Sequence, residues 1–329
     1  MLKKTENISQ RIMLPNRLKQ GGLKRDGFIY EMKKNYPLYI FLIPMFVFFI
    51  IFDYLPIFGM VIAFKRMDYS LGILGSPWAG FENFKYLFKT PDVWVITRNT
   101  VLYNVAFILT SFFFAVVFAV FLNEVKSSLT KKFYQGVLFI PHFLSWVIMG
   151  YLVYVFLSPQ YGFINKGILT TFGLKEIEWY SSPQFWPFIL VFVNLWKGLG
   201  YSTIVYLAAI AGIDQELYEA AVIDGAGKFK QTIHITLPCI KPAIVIQLIM
   251  AIGSLFSTDF GLFYYVTRNV PTLYPTTQVM GLYTYRALRE MGDVGMASAA
   301  AFYQSIVGFI LVVVANQIVR KIDSELSLY

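Results

Sequence analysis

Few residues in this 329-residue chain have the types and spacing to do chemistry. The two histidines, His142 and His234, are far apart, and Cys239 is the single cysteine, so neither an internal disulfide nor a Cys-based metal site is available. No Gly-x-x-x-x-Gly-Lys-[Ser/Thr] phosphate loop occurs, and acids or histidines do not cluster as a membrane enzyme would need. What remains is a set of polar side chains inside long apolar runs: Asn104, Asn194, Lys197, Gln247, Ser254, Ser257, Asp259 and Gln304, with Trp196 and Tyr206 adding flat aromatic faces. Polar groups are costly there and usually turn toward a protein interior or a cavity. Their chemistry is hydrogen bonding and stacking, not bond-making. Asn194 and Lys197 are three apart and share a helical face, as do Ser254 and Ser257; on one helix Asp259 cannot join both serines. Each residue also has a plainer reading. A Ser or Asn in a span bonds a neighbouring helix or its own backbone, Lys197 snorkels to an interface or pairs with Asp259, and Trp196 packs or faces lipid.

The elements that must position these groups follow from composition. Hydrophobic residues make up 57% of the chain and charged residues only 14%, against about 25% charged in a soluble domain. Apolar runs long enough to cross a bilayer place spans at about 37–64, 100–122, 136–157, 185–211, 239–262 and 297–319. Backbone groups in lipid must be satisfied within each segment, so the expectation is an all-α polytopic membrane protein with six transmembrane helices. The first span is interrupted by Asp53 and Pro56. Residues 1–36 form a basic cytosolic tail, 37–319 the membrane domain and 320–329 a short cytosolic tail. The net charge of +9 does not point to nucleic acid, because basic residues concentrate in the tails and short loops without interleaved aromatics. Lys and Arg are richer in the N-terminal tail, between spans two and three, after span four and at the C-terminus, which puts both termini in the cytosol. A short helix from Thr276 to Glu290 lies at the outer surface, and Gly295, Ala297, Ser298, Ala299 and Ala300 allow close helix contact at the start of span six.

The inward loop between spans four and five, 213–238, carries the most specific pattern. Asp214 is a good N-cap, and Glu216 and Glu219 sit in the first turns, where the helix dipole favours negative charge. Leu217, Ala220, Ala221 and Asp224 share one side, and the alanine pair lets another protein surface come close. Gly225 and Gly227 permit the left-handed turn that ends the helix. A second short helix, about Lys228 to Ile235, presents Phe229 and Ile233, and Pro238 opens the next span. Glu219-Ala220-Ala221, then Gly225, Ile235 and Leu237-Pro238 resemble at every position the EAA motif of ABC-importer permeases. The resemblance implies a type I ABC importer permease fold. It also implies that Glu219, Ala220, Ala221, Asp224, Gly225, Phe229, Ile235, Leu237 and Pro238 form a coupling loop fitted to a cytoplasmic ATPase.

A finer resemblance rests on Asp53-Tyr54-Leu55-Pro56, Ile62-Ala63-Phe64-Lys65 and the stretch from Gly75 to Phe84. These segments are similar to polysaccharide and oligosaccharide permeases of the carbohydrate-uptake branch, related to the maltose permeases and mostly from Gram-positive bacteria. The implied partners are a second, homologous permease, two ATPase subunits and an extracytoplasmic solute-binding lipoprotein in the bacterial cell membrane. Catalysis, ATP and Mg would reside on the ATPase, with no cofactor on this chain. Substrate would occupy a midplane cavity between the two permeases, where hydroxyl-directed hydrogen bonds and the Trp196 and Tyr206 faces suit an oligosaccharide. A Lys and an Asp in that cavity would suit an acidic sugar. The competing expectation is an ion-coupled secondary transporter, which needs buried acids in several spans and inverted repeats. The sequence offers few of the first and none of the second.

Overall fold

Apolar sequence becomes helix almost everywhere in the computed structural model, which describes residues 34–90 and 92–322. No strand forms among the described residues beyond a single antiparallel bridge between Lys65 and Trp78. The two charged tails of the sequence reading lie largely outside the described residues. The chain divides into two units, 1–58 and 59–329. In the first, α1 (Tyr36–Phe49) continues through a π turn, Ile50–Tyr54, and no residue of either is buried. Asp53 does not interrupt the helix as its charge suggested. The wider π turn takes it up, and helix resumes at Leu55.

The second unit contains α2 (Glu82–Lys89), α3 (Asp92–Glu124), α4 (Ser128–Phe143), α5 (Trp146–Leu157), α6 (Trp186–Ala211), α7 (Gln215–Ile223), α8 (Lys228–Gly253), α9 (Met280–Arg289) and α10 (Val294–Ile322). Among the described residues of the whole chain, five helices, the one that contains α1 included, are long and apolar enough to cross a membrane, and α4 with α5 makes a sixth span if the bent pair is taken as one. α3 and α6 run side by side in the same direction. Their early residues Tyr103, Trp186 and Leu190 share one apolar cluster, and their late residues Ala115, Ala119, Tyr206, Leu207 and Ile210 share another. A third cluster joins Leu87 and Ile96 to Phe256, Met280 and Ala300.

Two spans depart from the sequence reading. The helix expected over 136–157 is broken, with α4 and α5 meeting at 99°. Pro141 sits in the last turn of α4, Leu144 is extended, and the Ser145 hydroxyl caps α5 by accepting from Ile148 N. The expected span over 239–262 ends at Gly253, and residues 254–259 are non-helical. At its other end, the separate short helix from Lys228 merges with this span through a π turn, Thr232–Thr236, so Pro238 lies within a continuous helix. The outer helix expected over 276–290 is split at Gln278–Val279. Ala297, Ala299 and Ala300 are buried, as close packing requires.

The signature segment from Ile62 to Phe84 is a folding unit. Asn83 Nδ2 donates to the carbonyls of Ala63 (2.9 Å) and Lys65 (3.0 Å), terminating the 3₁₀ segment Met60–Phe64. Lys65, itself buried, donates to the carbonyls of Ile73 (3.0 Å) and Leu74 (2.7 Å). The Phe64 ring meets Phe81, Phe84 and Phe302. Nearby, the Asp68 carboxylate accepts from the Ser70 hydroxyl and amide, which hold its pKa below the usual value. Asn83→Ala removes both capping donors and is expected to cost about 2 kcal/mol. Thermal unfolding of the detergent-solubilised protein, followed by loss of the monodisperse peak, checks this; an unchanged midpoint would refute the capping role.

Candidate functional site

The loop between α6 and α8 is shaped by its caps. Asp214 accepts from Glu216 N (3.0 Å) and starts α7. At the other end Gly225 adopts φ +76, and two bonds close a Schellman motif: Gly225 N to Val222 O (3.0 Å) and Ala226 N to Ala221 O (2.8 Å). The buried Gln231 side chain then donates to Ala226 O (2.9 Å), holding the start of α8 against the turn. Tyr218 OH and Thr236 Oγ1 (2.9 Å) tie α7 to α8, and Lys228 pairs with Glu124 at the end of α3 (3.1 Å).

The nine motif residues divide into two roles. Glu219, Ala220, Asp224, Gly225, Phe229 and Pro238 are exposed and Ala221 is half-buried. Beside them Leu217, Val222, Ile223 and Ile233 also lie open, Ile223 being 86% exposed. Ile235 and Leu237 turn the other way and pack on the cluster of Ala115, Val116 and Ile240. These two anchor the loop to the spans. The outward residues form a face with apolar side chains and acidic neighbours, rigidly joined to α3, α6 and α8.

The in-span polar residues converge only in part. Asn104, Asn194, Ser254, Ser257 and Asp259 line one cavity of about 460 Å3, together with Phe107, Ile108, Ser111 and Thr258. Asp259 joins both serines because the helix ends at Gly253; a continuous helix would have kept them apart. Gln247 and Tyr206 line a smaller adjoining hollow of about 120 Å3. Tyr206 is buried in the α3–α6 cluster, so it serves mainly as packing. Trp196 faces an apolar groove with Phe188, Phe192 and Phe156, away from the polar cavity. The sequence reading missed Phe107, Ile108, Ser111 and Thr258. The first three share the Asn104 face of α3 at i+3, i+4 and i+7, a signal the sequence does contain.

Lys197 and Asp259 do not pair directly. The Lys197 ammonium donates to the His142 and Leu144 carbonyls, the free end of α4, and lies 5.2 Å over the Trp146 ring. Trp146 Nε1 donates to Asp259 Oδ2 (2.6 Å), while Asp259 Oδ1 accepts from Gly261 N (2.8 Å). A Cβ on Gly261 would stand 2.2 Å from Trp146 Cδ1, so only glycine permits this contact. One cation thus caps the first break, and the indole beneath it is hydrogen-bonded to the second break. Both carboxylate oxygens of Asp259 are spent on N–H donors. Asn194, Ser111 and Ser257 make no hydrogen bond through their side chains among the described residues and offer the cavity's free polar groups. The site presents neutral hydrogen bonding beside the Phe107 ring, and no group of three or more His, Cys, Asp or Glu suited to a metal occurs among the described residues.

Comparison with known proteins agrees with this architecture. Residues 98–324 match the family described as binding-protein-dependent transport system inner membrane component. Protein LplB of Bacillus subtilis is 37% identical over 299 residues, covering 91% of this chain and 93% of LplB. The polygalacturonan/rhamnogalacturonan transport system permease protein YteP of the same species is 35% identical over 302 residues, covering 92% and 93%. A chain from the crystal structure of a bacterial ABC transporter involved in import of the acidic polysaccharide alginate superposes with a TM-score of 0.82 at 33% identity, covering 89% of this chain and 98% of that one. The helical fold is therefore that of type I ABC importer permeases, and the secondary-transporter alternative is set aside. Matched along most of its length, the chain belongs to the binding-protein-dependent transport system inner membrane components and is a multi-pass membrane permease of the ABC-importer class.

Proposed function

We propose that this permease carries oligosaccharides released from polysaccharides inward by alternating access, driven by ATP hydrolysed on a separate chain. Its assembly partners would be a second homologous permease, two ATPase subunits holding ATP and Mg, and an extracytoplasmic solute-binding lipoprotein. Both termini would lie in the cytosol, where the basic loops belong. The observation that carries the reading is the outward face of the Glu219 loop, capped at both ends and anchored through Ile235 and Leu237. An exposed apolar patch of this kind marks a protein-binding surface. Support for the cargo comes from relatives named for polygalacturonan, rhamnogalacturonan and alginate transport. The cavity bounded by Asn104, Asn194 and Ser257, with hydroxyl and amide groups beside Phe107, suits a neutral portion of such a saccharide.

Mechanistically, closure of the ATPase pair would push the Glu219 face. The push passes into α8 through the Tyr218–Thr236 bond and into α3 through Lys228–Glu124. α8 ends at the break that Asp259 shares with Trp146, so its displacement would move α5 and change access to the cavity. Glu219→Lys reverses charge on the docking face while leaving both caps intact. It is expected to lower co-purification of the ATPase about tenfold and to uncouple ATP hydrolysis from transport. Retention of the ATPase and of coupled transport by this variant would contradict the docking assignment. Ligand binding by the partner lipoprotein would identify the sugar most directly.

A further inference from the structure

Beyond the two helix breaks, Tyr151 and Tyr154 of α5 face Tyr265, Arg268 and Asn269 across a cavity of about 260 Å3. Tyr154 also meets Tyr180, whose ring lies tilted against Trp186 at the start of α6, whereas the Glu219 loop follows the end of that helix. The cavity and the loop are thus separated by about 40 Å of helix. We propose that this cavity is a subsite for a single carboxylated sugar ring, a uronate, on the route to the Asn104–Ser257 cavity. The inference rests on the oligosaccharide reading above and adds the charge of the cargo.

Four observations carry it. The Arg268 guanidinium lies 4.1 Å over the Tyr154 ring and makes no hydrogen bond through its side chain among the described residues. Its planar fork matches a carboxylate bidentately. Arg286 provides the contrast: it lies equally close to a ring, Tyr274 at 4.1 Å, but its Nε is paired with Glu290 at 3.1 Å. Second, no Asp or Glu lines the Arg268 cavity, the neighbouring carboxylate of Glu290 being engaged by Arg286 and Asn269, and tyrosines supply the flat faces and hydroxyls that a pyranose requires.

Third, Arg268 and Asn269 both hold left-handed backbone, at φ +57 and +50. Such a conformation costs roughly 1–2 kcal/mol for a side-chain-bearing residue and persists only where surroundings enforce it. Here Asn269 donates from Nδ2 to Glu290 (3.2 Å), accepts at Oδ1 from Tyr274 OH (3.1 Å) and donates its amide to Thr267 Oγ1 (3.3 Å). These contacts aim Arg268 at Tyr154 where glycine would have been free of strain. Fourth, the Asn104–Ser257 cavity offers a carboxylate no free cation, because Lys197 is spent on the α4 carbonyls. A uronate therefore needs its charge met elsewhere along the path, and the Arg268 cavity adjoins that route: Val147 on its wall neighbours Trp146, the residue bonded to Asp259.

The test uses the complete importer in proteoliposomes, supplied with its binding protein and with an equimolar mixture of uronate oligomers (from alginate and polygalacturonate) and neutral oligomers (from galactan and arabinan). Vesicle contents are read by mass spectrometry. Wild type is expected to accumulate uronate oligomers. Arg268→Gly, which suits φ +57 better than arginine and so should fold, is expected to reduce that uptake at least tenfold with ATPase coupling intact, and Arg268→Lys to recover part of it. Arg268→Gln supplies a second neutral variant with native bulk. Uronate uptake at wild-type level in both neutral variants would overturn the site. Accumulation of neutral oligomers alone by wild type would overturn the uronate inference and leave the oligosaccharide reading standing. No accumulation of any saccharide would overturn the oligosaccharide reading as well.

Discussion

A permease carrying Gly200→Leu is expected to yield no folded protein. Gly200 is buried where α6 crosses α4, and a Cβ there would stand 2.3 Å from the Leu138 carbonyl oxygen and 2.7 Å from Phe139 Cα. Those are backbone atoms, which cannot swing aside as a side-chain tip can. Overpacking a core typically costs about 1–3 kcal/mol, and that range assumes side chains that adjust; prying two backbones apart exceeds it, reaching about 4 kcal/mol or more. Gly198 is the control, two residues away on the same helix with nothing within 4 Å of its Cβ position. Gly198→Ala is expected to be neutral or slightly stabilising, since alanine favours helix by about 1 kcal/mol. Size-exclusion profiles of the detergent-solubilised variants decide the matter. Monodisperse Gly200→Leu protein with a wild-type melting temperature would show that α4 and α6 do not cross at this point.

Lys197→Met should cost nearly as much, for an electrostatic reason. The ammonium is donor to the His142 and Leu144 carbonyls, which α4 leaves unpaired at its C-terminal end. Methionine keeps the apolar stem and removes both charge-assisted bonds, each worth about 1.5–3 kcal/mol. Even the lower end, about 3 kcal/mol for the pair, corresponds to about a hundredfold shift against the bent conformation. Transport by the assembled importer is therefore expected to fall about a hundredfold. Lys197→Arg, which retains charge and donors, should recover part of the activity. If Lys197→Met transported normally, the 99° bend would have to be held by Pro141 and Ser145 alone. A direct Lys197–Asp259 ion pair makes a different forecast: Asp259→Asn would then be as harmful as Lys197→Met. Here Asp259 accepts from Trp146 and Gly261, and the asparagine carbonyl can still accept from one of them, so the milder effect is expected for Asp259→Asn.

The Glu219 loop was the most legible part of the site because its signals are local. Asp214 caps within two residues, Gly225 reverses the chain within three, and the Ile235 and Leu237 anchors follow at short range. The polar cavity was half legible. Asn104, Asn194, Ser254, Ser257 and Asp259 were each visible as polar groups in apolar runs, but Tyr206 and Trp196 had no feature marking them as facing elsewhere. Ser145 after Pro141 and the Ser257-Thr258-Asp259 run after Gly253 carried punctuation for the two breaks. Hydropathy overrides such signals when the flanking residues are uniformly apolar.

By itself the sequence determined the membrane environment, the number of spans within the uncertainty of the bent pair, and the capped loop between α6 and α8. Length and apolar content suffice for the first two, since the bilayer sets the scale, and capping chemistry suffices for the third. Only the tertiary structure decided that spans three and five are broken, that Lys197 caps α4, and that Arg268 stands over Tyr154 beside a cavity lined by no carboxylate. The physical reason is that helices apolar on every side carry no record of which faces meet. Their pairing is settled by backbone contacts such as Gly200 against Leu138 and by polar side chains seeking partners far away in sequence.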